Sequence, residues 1–211
     1  MKKYLFMALV ALTSVLASSC EEFPDDGTFD GTNWKEAKFG ISEDGKLLYI
    51  PRGVFRDAEG VKIALVGKGW KHVESHEIQA DGKPKTVDYY HDMIGISPYD
   101  YYFDTDSTLT LFTFSDAIPG NVKRHQNWAY HADYDVIYVY PQVPTNALVT
   151  ASPEASRIIQ VIFFQENSMW LTQNIASRAN ANGSSTPVYV LSHYEKMTDK
   201  ELQDCQNNYK E

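Results

Sequence analysis

Cysteine is nearly absent from this chain: only Cys20 and Cys205 carry a thiol among 211 residues. A disulfide framework is therefore not what holds the fold. Positive charge is also in short supply, with 19 Lys and Arg against 28 Asp and Glu and a formal charge of -9. Such a surface repels nucleic acid and anionic lipid headgroups. There is no long amphipathic helical pattern, no repeat of fixed period and no G-x-S-x-G elbow for a serine nucleophile. The apolar run from Tyr4 to Leu16 falls short of the roughly 20 residues that a membrane-spanning helix requires.

That run has another use. Lys2 and Lys3 precede it, and the small residues Ala17, Ser18 and Ser19 follow it before Cys20. A basic start, a short apolar core and small residues before a cut site are the parts of a secretory signal peptide. The stretch "SVLASSCEEFPDD", residues 14–26, puts the cysteine where the apolar run ends and an acidic run begins. Residues 1–19 are expected to be removed, which discards two lysines and no acid and takes the formal charge from -9 to -11. In this setting the chain resembles a bacterial lipoprotein precursor whose lipobox cysteine receives the lipid. Ala17 stands where the usual leucine would be, with Leu16 one place further out, a relaxed box like those of Bacteroidetes lipoproteins. Glu21, Glu22, Asp25 and Asp26 look like the acidic signal that sends such lipoproteins to the outer face of the outer membrane. The resemblance implies lipid attachment at Cys20, a cell-surface location on the outer membrane and membrane contact through acyl chains alone. The plainer alternative is an ordinary cysteine in a secreted chain. With Cys20 acylated, Cys205 has no partner within the chain, and the fold must be held by its core, for which about 190 residues are ample.

Residues 20–33, rich in Asp, Gly and Pro and without apolar periodicity, are expected to form a flexible tether. Within 34–66, "AKFGISEDGKLLYIP" predicts a hairpin turning at Glu43, Asp44 and Gly45, and "DAEGVKIALVGKGW" is open between helix and strand. From there to residue 200 short alternating segments follow one another: "WKHVESHEI", "TVDYYHDMIGI", "YDYYF", "TLTLFTF", "NWAYHA", "DVIYVYP", "RIIQVIFFQ", "SMWLTQNI" and "PVYVLSHYEKM". Turn residues separate most of them, as at Asp81 to Pro84, Asp104 to Ser107, Asp133, and Glu166 with Asn167. About eight or more strands with mostly short connections predict an antiparallel meander closed on itself, since closure removes the edges. Asn180 to Ser185 reads as a mobile loop. Thr198 and Glu201 have capping-box spacing, so a short helix is expected over 201–211.

The succession "GKGWKHVESHEI", "YYFDTDSTLTLF", "NWAYHADYDVIYV", "RIIQVIFFQENSMWLTQN" and "VYVLSHYEKM" is similar to the lipocalin-like domains of Bacteroidetes lipoproteins. It covers roughly residues 66 to 198, and residues 34–65 are not explained by it. The resemblance implies an up-and-down barrel with an interior cup, in which Gly69 and Trp70 open the first strand and the tryptophan plugs one end. It implies no named ligand.

Strand alternation places Trp70, His72, Glu74, His76 and Ile78 on one face of "WKHVESHEI". If Trp70 points inward, His72, Glu74 and His76 follow it into the cup. His72 and His76 would lie about 13 Å apart along the strand, so a metal would need a third ligand such as His91 or His131, and no spacing demands one. Polar residues lining a wet cup, or a bulge turning them to solvent, is the plain alternative. "DTDST" at Asp104 to Thr108 lacks the glycine and closing glutamate of a calcium loop and reads as a turn. The remaining lead is aromatic. Tyr89, Tyr90, Tyr99, Tyr101, Tyr102, Trp128, Tyr130, Tyr134, Tyr138 and Tyr140 lie close together, and their faces and hydroxyls suit apolar ligands and sugars alike.

The residues expected to line a site are therefore Trp70, His72, Glu74, His76, Tyr102, Trp128 and Tyr130. No catalytic residue, cofactor or metal is implied. The favoured reading is a lipid-anchored barrel binding a small apolar or amphipathic ligand. A glycan-binding or protein-interaction module of an outer-membrane assembly, and a hydrolase or metal-dependent enzyme built on His72, Glu74 and His76, are the competing ones.

Overall fold

A computed structural model describes residues 29–41, 48–49, 53–86, 99–115, 120–141, 157–179, 183 and 185–211. Its main sheet is an antiparallel meander of β3 (Gly69–Ile78), β5 (Asp100–Tyr102), β6 (Thr108–Ser115), β7 (Gly120–His131), β8 (Val136–Pro141), β9 (Arg157–Gln165), β10 (Ser168–Ala179) and β11 (Ser185–Lys196). Each strand pairs with the next, and β11 returns to pair with β3 from Lys196 opposite Trp70 to Val190 opposite Glu77. The sheet therefore closes into an eight-stranded up-and-down barrel, the architecture of the lipocalins. A short β4 (Pro84–Thr86) lies on β3 as an added strand, and β1 (Gly40–Ile41) pairs with β2 (Leu48–Tyr49) in the expected N-terminal hairpin, whose turn residues lie outside the described set.

Alternation identifies the inside of the barrel. Trp70, Tyr101, Leu109, Leu111, Trp128, Ile137, Val139, Ile159, Val161, Met169, Leu171 and Tyr194 form one buried cluster drawn from all eight strands. Only inward side chains of a closed sheet can meet that way. The turns at 104–107, 132–135 and 166–167 gather at one end. There α1 (Ala58–Leu65) closes the barrel. Val61, Ala64 and Leu65, spaced as one helical face, enter the same cluster beside Phe55. Asp57 starts this helix by accepting a hydrogen bond from the Gly60 N–H at 2.8 Å, which settles in favour of a helix the segment that periodicity left open.

A second cluster lies on the outer wall. Trp170 falls between the inward Met169 and Leu171, so it points outward, where it meets Leu191, Ile78, Ala37 and Phe39, with Phe29 and Trp34 packed against them. Residues 29–39, which include a single 3-10 turn at Trp34–Glu36, thus form a strap across β3, β10 and β11. The expected tether does not extend to residue 33. Phe29 already meets Trp170 edge to face at 5.1 Å and Phe163 at 6.4 Å, because an exposed aromatic wall offers burial that a polar linker composition does not anticipate.

The C-terminal helix α2 (Asp199–Asn208) starts two residues before the expected boundary, with the Thr198 and Glu201 capping box formed. It lies on the outer wall. The Lys71 ammonium pairs with Glu201 at 2.6 Å, Tyr209 meets Phe112 at 5.3 Å, and Lys210 bonds the backbone of β7. Among the described residues no helix is long and apolar enough to cross a membrane.

Candidate functional site

The barrel interior is not uniformly apolar. The Arg157 guanidinium donates to the Tyr101 hydroxyl at 3.1 Å, and that hydroxyl donates in turn to Gln173 Oε1 at 2.8 Å. Gln173 Nε2 reaches Ser192 Oγ at 3.3 Å and the Tyr194 hydroxyl at 3.5 Å. Ser192 Oγ meets Ser75 Oγ at 2.8 Å, and Ser75 Oγ meets His72 Nε2 at 2.6 Å. Tyr194 donates to the Tyr99 carbonyl at 3.2 Å, and the Arg157 guanidinium lies over the Tyr99 ring at 4.5 Å. Five of the eight strands, β3, β5, β9, β10 and β11, contribute to this chain, each through an inward position. Tyr101, Ser192 and Tyr194 are fully buried, so each polar atom depends on its neighbour to replace water.

Burial sets the protonation states here. It pushes the His72 imidazole down to about 4, with the nearby His193 adding to the effect, so His72 is neutral at pH 7. Burial also holds the Tyr194 phenol well above its ordinary range. Two donors in the interior are left over. The Trp70 indole N–H has no acceptor among the described residues, and Arg157 faces phenols, with no carboxylate among the described residues in ion-pair contact.

Beside this network the wall changes construction. Among the described residues β5 pairs with β3 at Gly69 and Trp70 alone, and past that point the Asp100 carboxylate accepts the His72 backbone N–H at 2.7 Å. A side chain thus satisfies a strand N–H there. Burial pushes Asp100 up to about 6, against the pull of that hydrogen bond.

The predicted site residues divide between the two faces. Trp70 and His72 point inward as expected. Glu74 and His76 do not, because β11 pairs His193 with Glu74 and the adjacent Tyr194 with His72. Val73 is the extra residue of a β-bulge, 44% exposed, and it reverses the alternation, so that Ser75 follows His72 inward. Glu74 and His76 join the outer wall instead. Trp34 stacks on His76 at 3.5 Å and His193 stacks on Trp170 at 4.6 Å, and the Glu74 carboxylate lies 3.1 Å from His76 and 3.9 Å from His193. The barrel wall separates His72 from the Glu74 and His76 expected to accompany it. No group of three potential metal ligands occurs among the described residues.

Tyr102 also faces outward, since its neighbour Tyr101 is the inward member of β5. Trp128 and Tyr130 point inward, but at the closed end. The Trp128 indole donates to the Thr105 and Thr108 carbonyls at 3.0 and 3.1 Å, and the Tyr130 hydroxyl donates to Asp135 at 2.8 Å. They brace turns. Cys20, Tyr89, Tyr90 and His91 lie outside the described residues. Sequence reasoning passed over Arg157, Gln173 and Ser192, and only strand phase, which places Arg157 with Ile159 and Val161, could have signalled them.

No protein-family model and no curated relative matches the sequence. Among solved structures, a complex of bovine odorant-binding protein with a selenium-containing odorant is similar at TM-score 0.38 and 9% identity, over 74% of this chain and 83% of that one. The same protein's complex with undecanal gives 0.35 and 10%, over 64% and 74%. Likeness at that level carries no argument about function, and the barrel rests on its own strand pairing.

Proposed function

We propose that this protein is a lipid-anchored component of the cell envelope whose barrel takes up a small amphipathic ligand. The observation that carries the reading is the polar chain from Arg157 to His72 inside an otherwise apolar barrel. A barrel built only for stability gains little from burying such groups, whereas an apolar lining with a few convergent polar side chains is the usual make-up of a small-molecule site. Trp70 and α1 block one end, so a ligand would enter from the other. Anchoring through Cys20 at the outer face of the outer membrane is supported by the sequence around residues 14–26.

The aromatic face that a glycan or protein partner would use is less favoured, because Trp34 and Trp170 are packed under the protein's own strap. A hydrolase or metal-dependent enzyme built on His72, Glu74 and His76 is disfavoured by the wall between them. Native mass spectrometry with metal analysis on protein purified gently from bacteria tests the reading. A discrete extra mass, released on denaturation, is the expected result. Protein that is bare, and stays bare when apolar and amphipathic compounds are offered, would sink it.

A further inference from the structure

Arg157 is the one charged group in the interior hydrogen-bonded chain that is ionised at neutral pH, and no carboxylate among the described residues pairs with it. Its described contacts are the Tyr101 hydroxyl at 3.1 Å and the Tyr99 ring at 4.5 Å. Among the described residues the guanidinium's charge is felt chiefly by Tyr101, Tyr99 and Tyr194, three phenols. A guanidinium carries five N–H donors in a fixed fork, which the described residues engage through one hydroxyl and one ring face. Trp70 adds a second interior donor without an acceptor. Among the described residues the guanidinium thus meets no carboxylate, an arrangement that is costly unless something supplies the complement.

We propose that Arg157 anchors the carboxylate of an apolar-tailed acid bound inside the barrel, with Tyr99 and Tyr101 holding the guanidinium in place. The proposal rests on the ligand-binding reading above and names the class of ligand. A carboxylate matches the planar fork with two parallel hydrogen bonds. It also leaves the site neutral, whereas a phosphate dianion would bury a net negative charge. The tail then lies among the inward Leu, Ile, Val and Met side chains of the same cluster. Tyr101 is fixed from its other side by Gln173, so the guanidinium is oriented before any ligand arrives, which is how a buried charge is made selective rather than merely sticky.

The test compares decanoate with decan-1-ol, equal in chain length and different in charge, by calorimetric titration of the purified protein at pH 8. The expected result is that decanoate binds about ten- to hundredfold more tightly, the worth of one charge-assisted pair. Arg157→Gln should abolish the difference. Tyr101→Phe, which keeps the charge and removes one of its supports, should narrow the preference, and it serves if Arg157→Gln does not fold. If the unaltered protein binds both compounds equally, the carboxylate anchor is wrong and the ligand-binding reading stands. If Arg157→Gln retains the preference for decanoate, the anchor is elsewhere. Binding of neither compound overturns the proposal, and a preparation that also stays bare in native mass spectrometry overturns the reading beneath it.

Discussion

His72 and Asp100 are joined by one hydrogen bond from backbone to side chain, yet burial moves them in opposite senses. The His72 imidazole falls from 6.5 to about 4, so the unfolded chain binds the extra proton and stability rises with pH between about 4 and 6.5. The Asp100 carboxyl rises from 3.8 to about 6, so the folded chain binds the extra proton and stability falls with pH between about 4 and 6. The two slopes oppose each other across the same window. Asp100→Asn keeps an acceptor for the His72 N–H and removes the falling limb. Its stability relative to the unaltered protein should therefore climb as pH rises from about 4 to 6, by about 2 kcal/mol. Urea melts of the two proteins at pH 4, 5, 6 and 7 measure that difference directly, and a constant offset would show that Asp100 ionises at its ordinary pH.

At the scale of elements, the strap over residues 29–39 and the helix α2 are both held to the outer wall by a few identifiable contacts. Trp34 lies flat on His76, and Gly82 lets the strap approach β3. Gly82 has φ +78°, its carbonyl accepts the Phe39 N–H at 2.8 Å, and a Cβ there would run into the Phe39 carbonyl. Replacing Trp34 with Ala should cost about 1–2 kcal/mol, the scale of one aromatic contact with its burial. Hydrogen exchange should speed up in residues 29–39 and not in β5 to β8. Uniform acceleration would mean the strap is integral to the barrel instead of laid upon it. Thr198→Ala removes a side-chain acceptor from the Glu201 N–H and breaks the capping box. A loss of about 1 kcal/mol is expected in thermal or chemical melts.

What the sequence disclosed also sorts at this scale. Strand identity was legible because alternation and turn residues are local, and so was the capping box. The face of Glu74 and His76 was not, because the bulge at Val73 belongs to a pairing with β11 more than a hundred residues away. Register is a property of two strands, and one residue of slip reverses every side chain beyond it. The same holds for Tyr101 and Tyr102, adjacent tyrosines of which one had to point inward. Arg157 was passed over for a different reason: a single arginine at the head of an apolar strand looks like a surface residue until the barrel closes around it.

For the whole molecule the division between wall and interior has a practical consequence for where the protein acts. Lipid attachment at Cys20 predicts that Cys20→Ser releases the protein from membranes without disturbing the fold. Fractionation with circular dichroism checks both halves, and a variant that still sediments with the envelope would remove the lipid from the account. Barrel stability should be insensitive to the change, since the closed sheet supplies a buried core of its own.

The docking of Phe29 near the turn at 166–167 fixes more than the strap. If acyl chains hold Cys20 in a bilayer, nine peptide steps separate the anchor from Phe29, a leash of roughly 30 Å at full stretch. It is fastened to the flank of the barrel near its plugged end. The opposite end, where the ligand proposed above would enter, then lies further from the anchor than the plugged end does. A cargo would arrive from the aqueous medium, not by extraction from the leaflet beneath, and the molecule would work as a moored scavenger facing outward.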